Sequence, residues 1–381
     1  MKIPHCSELR TKIYTRAQEL PDTWSAALPT GHPLQKQLLL QQEAIVFENV
    51  RPMYVAVYAG NQLLVLTFFQ LLHLREHHVA AAKMKRWQQR LWRVFSRIRK
   101  PRLLVSGHLF RHDFGAVFIP EPVPAFEGFK GYRQALKLAA RKTSADAILI
   151  KDPPTDFHPL LQHFMPQYRL LPGDISMELT LPESWQTMSD YEGLLKHKYA
   201  QRLRNIRKAG SPLDVRSLDA AQVEQEAAAI HQLYEQVAQN QPVRLGFLSP
   251  DYLPHLKTSF PESFQVWGFY EDDTLVAFAS AWQRGTVLDM FYIGFAYERN
   301  RDRQLYFNIL FFAVEQAILL RCEKIIFGRT ALEAKARLGA RPQYLHTFLH
   351  IRNPVARALV DQLQTALAET EGDWESRHPF K

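Results

Sequence analysis

The first half of the chain alternates between two periods. Residues 33–50 repeat their apolar positions as a helix does, and MYVAVYAGNQLLVLTFFQLL (53–72) then reads as two strands around the turn Gly60-Asn61. Residues 80–99 return to a helical period. Met84, Trp87, Leu91, Val94, Phe95 and Ile98 share one face, and Lys85, Arg86, Arg90, Arg93, Arg97 and Arg99 lie elsewhere. RLLVSGHLF (102–110) predicts a strand, 131–143 a helix, AILIKD (147–152) a short buried strand and ISMELTLP (175–182) another strand.

The second half is more regular. FQVWGFY, TLVAFASAWQ and TVLDMFYIGFAY are three strands separated by Glu271-Asp272-Asp273 and Arg284-Gly285, turns short enough to make an antiparallel meander. A helix over about 302–320 follows, then the strand KIIFG, the helix ALEAKARLG and a last strand, YLHTFLHIR. Meander, helix, strand, helix, strand gives a mixed sheet with helices packed on it. The first half repeats this order loosely, so the chain reads as two copies of one α/β unit, 1–185 and 186–381. Near the seam lies KHKYAQRLRNIRKAG (196–210), where Leu195, Tyr199, Leu203 and Ile206 form one helical stripe and the basic residues fan around the rest.

Composition narrows the function without choosing it. The 381 residues are 46% hydrophobic and 22% charged, which is globular, with a formal charge of +9 that favours anionic partners. Two cysteines, Cys6 and Cys322, predict neither a disulfide framework nor a metal site, and point to a reduced, cytoplasmic setting. His73, His77 and His78 have no ligand spacing with acids beyond Glu76. The most apolar runs, 63–74 and 305–320, are shorter than the roughly 20 residues that span a bilayer and read as core. The basic helix at 80–99, with Trp87 and Trp92, is expected to pack on the first sheet; contact with an anionic membrane surface is the weaker alternative.

Three stretches together resemble the GNAT N-acyltransferase superfamily, and most of all its bacterial double-domain, Fem-like members. YAQRLRNIRKAG contains Arg204, Asn205, Ile206, Arg207, Lys208 and Ala209, which fit the R-x-N-I-R-K-A segment that opens the family's second domain. MFYIGFAYERNRDRQLYFNILFFAVEQAI resembles the central strand and following helix, and FGRTALEAKARLGARP the late motif, matched at Lys335, Leu338 and Gly339. The resemblance implies two tandem GNAT-like units, each a mixed, mostly antiparallel sheet with flanking helices. It also implies N-acyl transfer to a small-molecule or cell-wall-precursor amine, from acyl-CoA such as acetyl-CoA or from aminoacyl-tRNA, without metal. One feature departs from it: the strand–helix junction YERNRDRQLY lacks the glycine-rich turn that cradles the CoA pyrophosphate, and leaves Arg299, Arg301 and Arg303 as side-chain candidates for phosphate.

The resemblance makes Lys335 the leading catalytic candidate, stabilising an oxyanion; the alternative is a surface lysine. Glu333 is either a base that orients Lys335 or an acid complementing a helix dipole, with Thr330 as the N-cap of a capping box. Tyr292, with Asp289 and Tyr297 nearby, is a cleft or core residue of the central strand. Arg204, Arg207, Arg329, Thr330, Arg301 and Arg303 are the candidates for binding a phosphate-bearing substrate or donor. A different class stays open: a degenerate GNAT pair that binds a nucleotide, tRNA or anionic metabolite without chemistry.

Overall fold

The computed structural model describes residues 8–43, 49–74, 90, 93–94, 97, 100–109, 111, 114–171, 175–240, 248–352, 357 and 375–381. The basic stretch 80–99, with its two tryptophans, lies outside these residues except at four positions. The described chain forms two compact units. The first holds residues up to 171 and 346–352, the second 175–240, 248–345 and 375–381.

In the first unit, β1 (Leu9–Tyr14) leads through a 3-10 turn (Ala17–Glu19), α1 (Asp22–Ala26) and α2 (Lys36–Glu43) to β2 (Val50–Ala59) and β3 (Gln62–His73). After them come β4 (Arg102–Ser106), β5 (Val117–Phe118), α3 (Ala125–Lys142), β6 (Ala147–Lys151), α4 (Phe157–Phe164) and β7 (Arg169–Leu170). The helix α3 starts at Ala125, earlier than the apolar period alone suggests, just after Pro124, which stands at its N-cap in an extended conformation. It buries Phe129, Tyr132, Leu136 and Ala139 in the unit's core with Val55, Val65 and Phe69 of β2 and β3.

The second unit opens with β8 (Ile175–Thr180), α5 (Met188–Leu194), α6 (His197–Ala209), β9 (Asp214–Ser217), α7 (Ala220–Gln225), α8 (Ala227–Gln239) and α9 (Tyr252–Ser259). The expected meander follows as β10 (Phe264–Glu271), β11 (Thr274–Arg284) and β12 (Val287–Phe295), paired antiparallel. The helix expected over 302–320 is two helices, α10 (Tyr297–Arg303) and α11 (Leu305–Leu319), separated by Gln304 in the left-handed region (φ 49°). The unit closes with β13 (Lys324–Gly328), α12 (Leu332–Ala336) and β14 (Arg341–Tyr344), and the chain continues into β15 (Thr347–Ile351), which belongs to the first unit. The apolar α11 is core, with Leu305, Ile309, Leu310, Val314 and Ile318 all buried, each worth roughly 1.5–3 kcal/mol. No described helix is long and apolar enough to cross a membrane.

The strand orders reveal an exchange. The first sheet runs β1-β2-β3-β4-β6-β15-β7, with β5 on β3, and the second runs β14-β8-β13-β12-β11-β10-β9. The two orders are equivalent, but β15 sits between β6 and β7 in the first sheet, and β8 between β13 and β14 in the second. Each of these two strands joins the sheet other than that of the strand just before it: β8 follows β7 of the first sheet, and β15 follows β14 of the second. The segment YLHTFLHIR, expected to be one strand, is split accordingly: Tyr344 ends β14 in the second sheet and Thr347 begins β15 in the first.

In α6 the expected stripe is present. Leu203 and Ile206 are buried and Tyr199 packs half-buried against the same core, while Leu195, also buried, ends the preceding helix α5 rather than lying on α6. The charges lie outside it, with Arg202 over the ring of Phe307 at 4.7 Å.

Phe348 is fully buried in β15, within the first unit's core. Phe348→Asp is expected to cost roughly 3–5 kcal/mol or more and to strip hydrogen-exchange protection from β4 and β6 while β10–β12 stay protected. Protection lost from β13 and β14 instead would contradict the exchange.

Candidate active site

The site arises where two neighbouring strands part. β12 and β13 pair in parallel over three positions only, Val287 with Lys324, Leu288 with Ile325 and Asp289 with Ile326. Beyond these, β12 continues to Phe295 while β13 ends at Gly328 and turns into α12. A cavity of about 350 Å³ opens between them, lined by Met290, Phe291, Ile293, Phe295, Phe327, Thr330, Ala331 and Lys335, with Val237, Tyr297, Asn300, Tyr306 and Leu310.

A bulge in β12 shapes one wall. Ala279 faces Ile293 and Ala281 faces Met290, so Phe291 and Tyr292 together oppose the single residue Ser280. The buried Ser280 hydroxyl donates to the Tyr292 carbonyl at 2.7 Å and accepts from its N–H at 3.0 Å, substituting for the interrupted ladder. The bulge breaks the two-residue alternation, which is why Met290, Phe291 and Ile293 all line the cavity. Tyr292, read from the sequence as either a cleft or a core residue, is not among the lining residues. Its ring lies against Tyr234 of α8, 5.4 Å between centroids, and burial raises its phenol well above the usual range. That helix approaches closely because Gly294 has no side chain: a Cβ there would lie 2.5 Å from the Leu233 backbone and 2.6 Å from that of Tyr234.

The opposite wall carries the one cationic side chain among the lining residues. Lys335 is 4% exposed, and its Nζ donates to the Gly328 carbonyl at 3.1 Å. Burial pushes its amine down to about 7. It is held by a sharp turn, with Gly328 at φ 79° and Ala331 at φ 53°. Ala331 in this left-handed conformation, rather than Thr330, is the N-cap of α12 and makes no side-chain cap, so the expected capping box is absent. Thr330 is exposed at the cavity edge. Glu333 is ion-paired with Arg337 and Arg377, both at 2.7 Å, which hold its carboxyl below the usual range. The rest of the late motif is structural. Leu338 is core and its carbonyl accepts from Tyr191, while Gly339, at φ 97°, leaves room for the Phe380 ring. The seating of Phe380, bridged to Leu195, carried no signal that sequence reasoning could use.

The arginines are dispersed. Arg204 pairs with Glu192 at 2.9 Å and Arg207 with Glu315 at 3.3 Å, both partly exposed pairs of small energetic weight. Arg303 and Arg299 share the carboxylate of the buried Glu271 at the end of β10. Arg301 is exposed on α10, and Arg329 lies half-buried in the turn before α12. None of these six arginines lines the cavity.

The junction before α11 does not fit a CoA pyrophosphate. Backbone N–H groups of a helix start would have to face the phosphates. Here no glycine precedes α11, the Tyr306 N–H is bonded to Asn300 Oδ1 at 3.0 Å, and Asn308 Nδ2 ties the Arg303 and Ile206 carbonyls together. Among the described residues no group of three or more His, Cys, Asp or Glu is placed to hold a metal ion. A second cavity, of about 290 Å³ in the first unit, has a carboxylate, Glu43, already bonded to the Tyr54 hydroxyl at 2.6 Å and the Ala17 N–H.

No family model and no curated protein matches the sequence. Solved structures match the fold. FemX aligns with a TM-score of 0.51 at 11% identity, over 93% of this chain and 100% of that one. A tandem GNAT protein from the clavulanic acid biosynthesis pathway aligns with a TM-score of 0.53 at 10% identity, over 91% and 99%. The chain thus has the tandem GNAT fold expected from its sequence, with two mixed sheets flanked by helices.

The buried amine has a cost with a definite pH signature. The unfolded chain holds the Lys335 proton up to about pH 10.4, so burial destabilises the fold by on the order of 4 kcal/mol below pH 7, and the cost fades between pH 7 and about 10. Lys335→Met is expected to raise the unfolding free energy measured by urea titration at pH 7 by roughly 1–4 kcal/mol, with the gain shrinking toward pH 10. A loss of stability at pH 7 would show that the amine supports the fold.

Proposed function

We propose that the protein is an N-acyltransferase whose chemistry takes place in the cavity between β12 and β13, with Lys335 as the proton-transfer group. The observation that carries this reading is the Lys335 amine: buried, on the cavity wall and lowered to about 7. A lysine at its ordinary value is charged at neutral pH and cannot accept a proton; one near 7 is poised to do so.

In the proposed reaction a neutral amine attacks the carbonyl carbon of an activated acyl ester or thioester. The C–N bond forms and the carbonyl becomes an oxyanion. Neutral Lys335 takes the proton the amine loses, and as an ammonium it stabilises the oxyanion beside it. Collapse breaks the C–O or C–S bond, and the same proton passes to the leaving group. The amide and the free alcohol or thiol leave, and Lys335 is neutral again.

Thr330 supplies a hydroxyl at the cavity edge. Glu333, tied to Arg337 and Arg377, acts in this scheme by fixing α12 under Lys335 rather than as a base. Arg301 is the candidate for an approaching phosphate among the surface arginines, because Arg204, Arg207 and Arg303 already hold carboxylates. The donor is an activated acyl compound that does not depend on a backbone pyrophosphate cradle at the α10–α11 junction.

Amide formation, measured with acyl-CoA, aminoacyl-tRNA and p-nitrophenyl ester donors against a panel of amines, tests the reading. For the productive pair, kcat/KM is expected to rise with pH and level off above an apparent value near 7. Lys335→Met should lower it by about 10²-fold or more and remove the rising limb. Lys335→Arg should be equally poor, since arginine stays charged. Full activity in Lys335→Arg would assign the residue a charge role only, and amide formation unaffected by Lys335→Met would end the proposal.

A further inference from the structure

The cavity wall states what kind of acyl group fits it. Met290, Phe291, Ile293, Phe295 and Phe327 give it an apolar surface. Burial raises the Tyr306 phenol above its usual range. The Asn300 carbonyl oxygen is engaged with the Tyr306 N–H. No carboxylate lines it among the described residues. The acid next to Lys335 in space along α12, Glu333, is held by Arg337 and Arg377 outside the lining.

We infer that the acyl group carried in this cavity is uncharged and apolar, a simple aliphatic or aromatic acyl chain, and that acyl groups bearing an ammonium are rejected. This rests on the acyl-transfer reading of the same cavity. An ammonium entering the cavity gives up its water and finds no anion to replace it, and a charge buried without a partner is strongly disfavoured. It would also sit near Lys335, where it would oppose the positive charge that the amine takes up during the reaction. An aliphatic or aryl chain meets neither penalty. It gains contact with the methionine, the isoleucine and the three phenylalanines. The site therefore discriminates between the two donor classes that its fold leaves open. A plain acyl donor is accepted, and an aminoacyl donor with a free α-ammonium is excluded.

A matched pair of probes isolates the charge: hexanamide and 6-aminohexanamide, which differ by the terminal ammonium. Binding is read at pH 7.5 on the wild-type protein labelled with 13C-methyl methionine, at the Met290 methyl signal, assigned through Met290→Leu. Met290 lines this cavity. Hexanamide is expected to shift it saturably. 6-Aminohexanamide is expected to need at least about a tenfold higher concentration. Ile293→Trp, folded by circular dichroism, should lose the hexanamide response because the indole fills the space. Equal or tighter binding of 6-aminohexanamide, or no saturable shift with hexanamide, overturns the inference.

The outcome is separable from that of the acyl-transfer reading, which is judged by turnover. Amide formation from an aminoacyl donor, with the ammonium probe bound, would keep the transferase and discard the apolar acyl group. Hexanamide binding with no amide formed from any donor would do the reverse.

Discussion

The parting of β12 from β13 after three paired residues is the constraint on which the site depends. Two parallel strands that stay together bury each other's backbone groups and leave no room for a ligand. Here the pairing stops at Asp289 and Ile326, and the ends are stabilised by other means. Ser280 satisfies the bulged Tyr292 backbone on one side, and on the other the chain turns through Gly328 and Ala331 into α12. Gly294 lets α8 press directly onto β12, which brings Val237 to the cavity and takes Tyr292 into the packing. The cavity is thus a consequence of where hydrogen-bonded pairing ends, lined by side chains that the bulge turns toward it.

Lys335 is the point at which this arrangement is costly. A buried amine bonded to one carbonyl, with no carboxylate partner among the described residues, opposes folding, and Ala331 adds left-handed strain of roughly 1–2 kcal/mol. Neither feature helps the core. Both make sense if the amine must stand at the cavity wall and change its charge near neutral pH. Stability held in reserve elsewhere, in the apolar α11 and the aromatic contacts around Tyr191 and Phe380, offsets them.

Much of this was legible in the sequence. The meander was readable from period-two alternation and tight turns, and the late motif pointed to Lys335, which the cavity wall indeed contains. The stripe in α6 was correct because helical spacing directly reports a buried face. What failed has physical reasons. β8 and β15 are short apolar strands whose composition suits either sheet, so their exchange is written only in long-range pairing. The break at Gln304 and the N-cap at Ala331 use left-handed residues other than glycine, which carry no local signature. Thr330 and Glu333 read as a capping box by spacing, yet Glu333 is drawn off by Arg337 and by Arg377, more than forty residues along the chain. Tyr292 followed the alternation rule until the bulge reversed it.

The central claim is that the Lys335 amine is neutral near physiological pH because it is buried on the cavity wall. Heteronuclear NMR of 13C,15N-lysine-labelled protein, with the signal assigned through Lys335→Met, measures this without any substrate. The account predicts one lysine side chain titrating near 7, well apart from the others. A Lys335 signal that titrates near 10.4, like an exposed lysine, would contradict it.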